Sequence, residues 1–237
     1  MTKRFPLLLV AVLAACSSAP KADAPPPRRE PKPLTVYADS ALTESFTKIA
    51  KDFEASQGIE VELVFDAGSA LEKHADEADV FASASRDNMK YDSKVFAVTG
   101  LVLAIKQGNP KNVRALESFS AQANPRASFA MCAEETPCGV ATKAALTAAG
   151  LADATPAAVG NDVKDTLKKL TAGDVDSAFV YATDAKPDLG IFSVPVRADQ
   201  RFPIAVVSGS PESKKFYDYV FSEQGRARLT EVGFELP

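Results

Sequence analysis

The chain is poor in the residues that usually carry out chemistry. Its 237 residues include a single histidine, His74, whereas a nucleophilic Ser or Cys needs a base beside it. His74 stands in Leu71-Glu-Lys-His-Ala-Asp-Glu77, a charged stretch that reads as a solvated face, and the Asp76/Glu77 pair belongs to the same surface. There is no Gly-rich phosphate loop, zinc-protease motif or hydrolase elbow. One histidine and three cysteines are also too few for a dedicated zinc site beside any other role for the thiols. An enzyme or a resident metal centre therefore finds no support, and no cofactor is expected.

Long apolar runs are missing as well. The stretch Pro6–Ala15 is shorter than the roughly 20 residues that span a bilayer, but it has the length of a signal-peptide core behind the positive Lys3 and Arg4. It closes on Leu13-Ala14-Ala15-Cys16, which resembles the bacterial lipobox. The resemblance implies a signal over residues 1–15, cleavage before Cys16, and acylation of its sulfur and new amino terminus. The protein would then be exported and anchored to the outer face of the cell membrane; a plain secretory signal with Cys16 incidental is the alternative. Residues 16–33, rich in Pro, Ala, Lys and Arg, offer nothing large and apolar to bury and read as an extended tether.

Loss of the signal removes two of 27 basic residues and none of 31 acidic ones, which moves the formal net charge from −4 to −6. This acidity argues against nucleic acid as a partner, where a basic face is expected. Any anion would have to be held by local dipoles. Export also bears on the thiols. With Cys16 acylated, Cys132 and Cys138 remain in an oxidising compartment, and their closeness suggests a local disulfide worth roughly 2 kcal/mol; a reduced pair is the alternative. Their spacing is not Cys-x-x-Cys, so a thiol–disulfide enzyme is a weak reading.

From Leu34 onward strand and helix patterns alternate. Leu34–Ala38 is β-rich, and Leu42, Phe46, Ile49, Ala50 and Phe53 then fall on one helical face that stops at Gly58. Ile59–Phe65 alternates as a strand, a short helix follows Asp66, and Asp79–Ser83, Leu101–Ile105, Ala127–Met131, Ser177–Tyr181 and Ile204–Val207 read as further strands. Helices are expected over Pro137–Ala149, around Val163–Leu170, over Pro211–Phe221 and over Gln224–Val232. Such alternation predicts a mainly parallel α/β sheet, with ligands beyond the carboxyl ends of the strands.

Four strand-to-helix junctions carry small or hydroxylated residues: Ala38-Asp-Ser-Ala-Leu-Thr43, Ala67-Gly-Ser-Ala70, Thr136-Pro-Cys-Gly139 and Gly160-Asn-Asp-Val163. Each offers unpaired N–H groups at a helix start, where the helix dipole favours an anion. Ser40 and Ser69 add hydroxyls, although either could simply cap its own helix.

In order and over nearly all of Leu34 to Phe234, these segments resemble the molybdate-binding proteins of ABC transporters. The residues that carry the resemblance are the opening Leu-Thr-Val-Tyr-Ala with its Leu42-Thr43, Ala78-Asp-Val-Phe-Ala-Ser-Ala84, Thr136-Pro-Cys-Gly139, Asp162-Val163, Phe179-Val-Tyr-Ala-Thr-Asp-Ala185, and the closing Gly233-Phe234. The resemblance implies a type II periplasmic-binding-protein fold, with two mainly parallel lobes joined by crossover strands. Residues 34–100 and 186–237 would form lobe I and residues 101–185 lobe II. It implies capture of molybdate or tungstate by a monomer that delivers it to an ABC permease; sulfate or another small anion is the alternative.

As implied donors it gives the N–H groups of Cys138 and Val163 and the hydroxyl of Tyr181. In the first lobe it gives either the Ser40 hydroxyl or the Ala41 N–H, and either the Gly68 N–H or the Ser69 hydroxyl. Asp184 is expected to be structural, because a carboxylate beside a dianion repels it. About six charge-assisted bonds of roughly 1.5–3 kcal/mol would outweigh the cost of burying a dianion without any arginine.

Overall fold

The computed structural model describes residues 32–123 and 126–237. The expected signal, Cys16 and nearly all of the tether lie outside the described residues. Lys32–Pro237 forms a single compact unit around one eight-stranded sheet.

The strands are β1 (Leu34–Asp39), β2 (Val61–Asp66), β3 (Val80–Ala82), β4 (Lys94–Lys106), β5 (Phe129–Cys132), β6 (Ala158–Gly160), β7 (Ser177–Tyr181) and β8 (Ile191–Val206), in spatial order β2-β1-β3-β8-β4-β7-β5-β6. At one end β2, β1 and β3 run parallel; at the other β7, β5 and β6 do. The long strands β4 and β8 lie between them, antiparallel to each other and to the blocks they join. The alternating α/β sheet expected from periodicity is present, with parallel pairing confined to its two ends.

The helices are α1 (Thr43–Gln57), the single turn α2 (Gly68–Leu71), α3 (Pro137–Ala148), α4 (Val163–Ala172), α5 (Pro211–Val220) and α6 (Glu223–Val232). Helix α1 buries Phe46, Ile49, Ala50 and Phe53, the stripe read from its 3.6-residue period. Phe46 meets Phe96 and Phe216 at ring-centroid distances of 5.6 and 6.2 Å, and Phe53 meets Phe216 at 5.2 Å. Each such side chain contributes about 1.5–3 kcal/mol by leaving water. Gly58 ends α1 in the left-handed region, φ 64°.

Two expectations change in extent. The run Leu101–Ile105 is part of the much longer β4, and Ile204–Val207 overlaps the end of the long β8, which stops at Val206. In β8, Asp199, Gln200, Arg201 and two prolines break the strand-like composition. Pro195 and Pro203, however, pair with Val102 and Val95, each beside a register irregularity where the ladder already lacks a bond. The three-residue β6 was too short to show a period. His74 is exposed and faces Glu77 at 3.2 Å, as a surface residue would. No helix among the described residues is long and apolar enough to cross a membrane.

Candidate functional site

Parallel pairing sets the Cα of Asp39 opposite that of Asp66, so the β1 and β2 chains leave the sheet side by side. The ends of β5, β6 and β7 leave the other block. Between these exits lies a narrow cleft of about 10 Å³, lined by Asp39, Ser40, Ala67, Thr136, Pro137, Cys138, Asp162, Val163 and Tyr181. All of these residues stand at or just beyond a strand's carboxyl end, where α/β sheets place their ligands.

Two helices start at this cleft. In α3 the Thr136 hydroxyl accepts from the Gly139 N–H at 3.1 Å and donates to the Ala133 carbonyl at 2.7 Å, while the Thr136 carbonyl takes the Val140 N–H. Pro137 has no N–H, so the Cys138 N–H is the one in this turn with no acceptor. A Cβ on Gly139 would come within 2.0 Å of the Ala133 carbonyl oxygen, so only glycine lets the helix start sit this tightly on its loop. A disulfide joins Cys138 to Cys132 at the end of β5, with Cα atoms 5.7 Å apart.

In α4 the Asp162 side chain accepts from Asp165 N at 2.8 Å and its carbonyl from Thr166 N at 3.0 Å, while the N–H of the lining residue Val163 meets no acceptor among the described residues. Both free N–H groups lie at the positive ends of helices of ten residues or more.

Ser40 and Tyr181 supply the hydroxyls. They are 3% and 1% exposed, and neither the Ser40 Oγ nor the Tyr181 Oη has a hydrogen-bond partner. A buried, unpaired hydroxyl costs about 1–3 kcal/mol, a cost the ligand-free protein carries twice in this one cleft. Burial, with Asp39 and Asp184 nearby, pushes the Tyr181 hydroxyl well above its usual range and keeps it protonated.

The other sequence candidates are placed differently. The Ala41 N–H donates to Asp39 Oδ1 at 3.1 Å and the Gly68 N–H to Asp39 Oδ2 at 2.9 Å. Both of these proposed donors are therefore already committed. A Cβ on Gly68 would stand 2.5 Å from Ser83 Oγ and 3.1 Å from Asp39 Oδ2, so the carboxylate also fixes the need for glycine there. Ser69 is half-buried one residue further along α2 and is not among the lining residues.

Beside these neutral donors the cleft holds an acidic residue, Asp39, that the sequence reading did not assign to it. A carboxylate 3% exposed sits in the cleft, raised to about 7 by burial, with the Ala41 and Gly68 N–H groups working against that rise and Asp162 and Asp184 adding to it. Its signal in the sequence is the acidic residue directly before Ser40, at a junction otherwise made of small side chains.

Beside the cleft an ion cluster links distant elements. Lys164 Nζ lies 2.6 Å from Asp184 Oδ1 and 2.6 Å from Glu44 Oε2. Burial and the neighbouring acids shift these groups: Asp184 is raised to about 6 because burial outweighs Lys164, and Lys164 itself is held above the usual range because the two acids outweigh its burial. No cluster of metal-ligating side chains occurs among the described residues.

Fold and cleft together are those of an α/β solute-binding protein. The family model described as bacterial extracellular solute-binding protein matches residues 34–235, and the chain belongs to that family. The molybdate-binding protein ModA of Haemophilus influenzae is 30% identical over 228 residues, 85% of this chain and 89% of that protein. Its namesake from Escherichia coli is 25% identical over 228 residues, 86% of this chain and 89% of that protein. Among solved structures, the sulfate-binding protein SubI of Mycobacterium tuberculosis superposes with a TM-score of 0.71 at 14% identity, covering 86% of each chain. The fold is thus that of the periplasmic binding proteins, and the family is one of solute-binding proteins rather than enzymes.

Proposed function

We propose that the chain captures a small tetrahedral oxyanion, molybdate or tungstate, and hands it to an ABC permease. Exported and held at the membrane through Cys16, the protein closes residues 34–100 with 186–237 over residues 101–185 as two lobes around the ligand. The observation that carries this reading is the meeting of two partnerless buried hydroxyls, on Ser40 and Tyr181, with the open N–H groups of Cys138 and Val163 in one cleft. Hydroxyls can donate and amides must, so the set suits an acceptor-only guest. Likeness to two molybdate-binding relatives across most of the chain supports the choice of anion.

Four charge-assisted bonds of roughly 1.5–3 kcal/mol each give a gross gain near 6–12 kcal/mol, enough for useful affinity when closure excludes water. Contacts from both lobes would favour the closed form, which the permease would recognise.

Calorimetric titration of the purified chain at about pH 6 with molybdate, tungstate, sulfate and phosphate tests the reading. Binding of the first two in preference to sulfate is expected; heat with none of the four would overturn it.

A further inference from the structure

Asp39 is an odd occupant for a cleft meant for a dianion. Its two oxygens already accept the N–H groups of Ala41 and Gly68, from the two first-lobe junctions assigned to the ligand. Asp39, holding those amides, lines the same cleft as Ser40 and Tyr181. Its side chain cannot withdraw without stranding both amides, one of them 29 residues away in sequence. Any anion touching Ser40 and Tyr181 must share the cleft with Asp39.

The surrounding charges do not relieve that contact. Asp162 faces it from the cap of α4, Asp184 from beyond β7, and Asp66 stands alongside on β2. Tyr181 contributes a neutral hydroxyl. Of the cations near this cluster, Lys164 is held by Glu44 and Asp184, and Lys186 acts on the same two acids. Helix starts α3 and α4 supply partial positive charge from the opposite wall but no proton.

We propose, on the reading given above, that Asp39 determines specificity by holding one proton against the bound oxyanion, so that molybdate enters together with a proton taken from solvent. In the free protein Asp39 exchanges this proton with water. In the complex its O–H donates to a molybdate oxygen, while both carboxyl oxygens keep their backbone N–H contacts. Above about pH 7, where Asp39 of the free protein is ionised, one proton leaves solution for each dianion captured; below it the proton is already in place, and no covalent bond to the ligand is made or broken. Release to a more alkaline medium is favoured by the same coupling. Burial holds the group raised to about 7, so the proton is available near neutrality rather than only in acid.

Titrating the purified full chain with sodium molybdate between about pH 6 and 9, in paired buffers of different ionisation enthalpy, counts the protons directly. About one proton taken up per molybdate is expected near pH 8, with affinity falling about tenfold per pH unit above 7. Asp39→Asn, which cannot titrate, should take up none and bind with an affinity flat over the same range. Zero uptake with a pH-independent wild-type affinity would overturn the role of Asp39 while leaving the binding function standing. So would a slope retained in Asp39→Asn. Absence of molybdate binding at every pH would overturn the function itself and this inference with it. Should Asp39→Asn fail to fold, the wild-type proton count decides alone.

Discussion

Removing one oxygen atom from Tyr181 should move stability and affinity in opposite directions. The hydroxyl is 1% exposed and has no partner in the ligand-free protein, whereas the ring is held edge-on against Phe202 with centroids 5.8 Å apart. Tyr181→Phe keeps that packing and deletes only the unpaired group. An unsatisfied buried hydroxyl costs about 1–3 kcal/mol, so the variant without ligand should be more stable. In a chain of this size each kcal/mol corresponds to roughly 2–4 °C in Tm. The same deletion removes a donor to the bound oxyanion worth about 1.5–3 kcal/mol, a loss of roughly 10- to 150-fold in affinity. Differential scanning calorimetry of the free protein and isothermal titration with molybdate read the two effects separately. A variant that binds as tightly as the wild type would refute the placement of Tyr181 at the ligand, whatever its Tm.

Further outcomes follow from the same geometry. Gly139→Ala forces a Cβ to within 2.0 Å of the Ala133 carbonyl oxygen; chemical unfolding should show a loss of about 1–3 kcal/mol, and the displaced Cys138 N–H should weaken binding as well. Lys164→Met strands the buried Asp184 and should cost roughly 3 kcal/mol near pH 8; urea midpoints near pH 5 should show a smaller loss, because Asp184 then neutralises by protonation. The ligand-free chain should also lose stability as pH rises from about 4 towards 7. Asp39 binds its proton more tightly folded, at about 7, than unfolded, at about 3.9, so its contribution is full below the unfolded value and gone above the folded one. Asp39→Asn should flatten that slope in urea titrations, with Asp184, raised to about 6, leaving a weaker remainder of the same sign.

The linear order of residues determined every feature that rests on local periodicity. The stripe of α1, the strand at Ser177–Tyr181 and the helix starts at Thr136-Pro-Cys-Gly139 and Asp162-Val163 are set by spacing, by capping side chains and by glycine, and all are legible without coordinates. The full extent of β4 and β8 was not legible. Prolines and charges mask those strands until the two chains pair and absorb each proline at a register shift.

Only the tertiary structure decided what fills the cleft. Asp39 and Gly68 lie 29 residues apart, and parallel pairing of β1 with β2 brings the Asp39 carboxylate onto the Gly68 amide. That register turns the expected Gly68 donor into a partner of an internal carboxylate, whereas the Ala41 amide, two residues from Asp39, is taken locally. The physical reason is that a helix start advertises free N–H groups in the sequence, whereas which acceptor reaches them depends on elements far away along the chain.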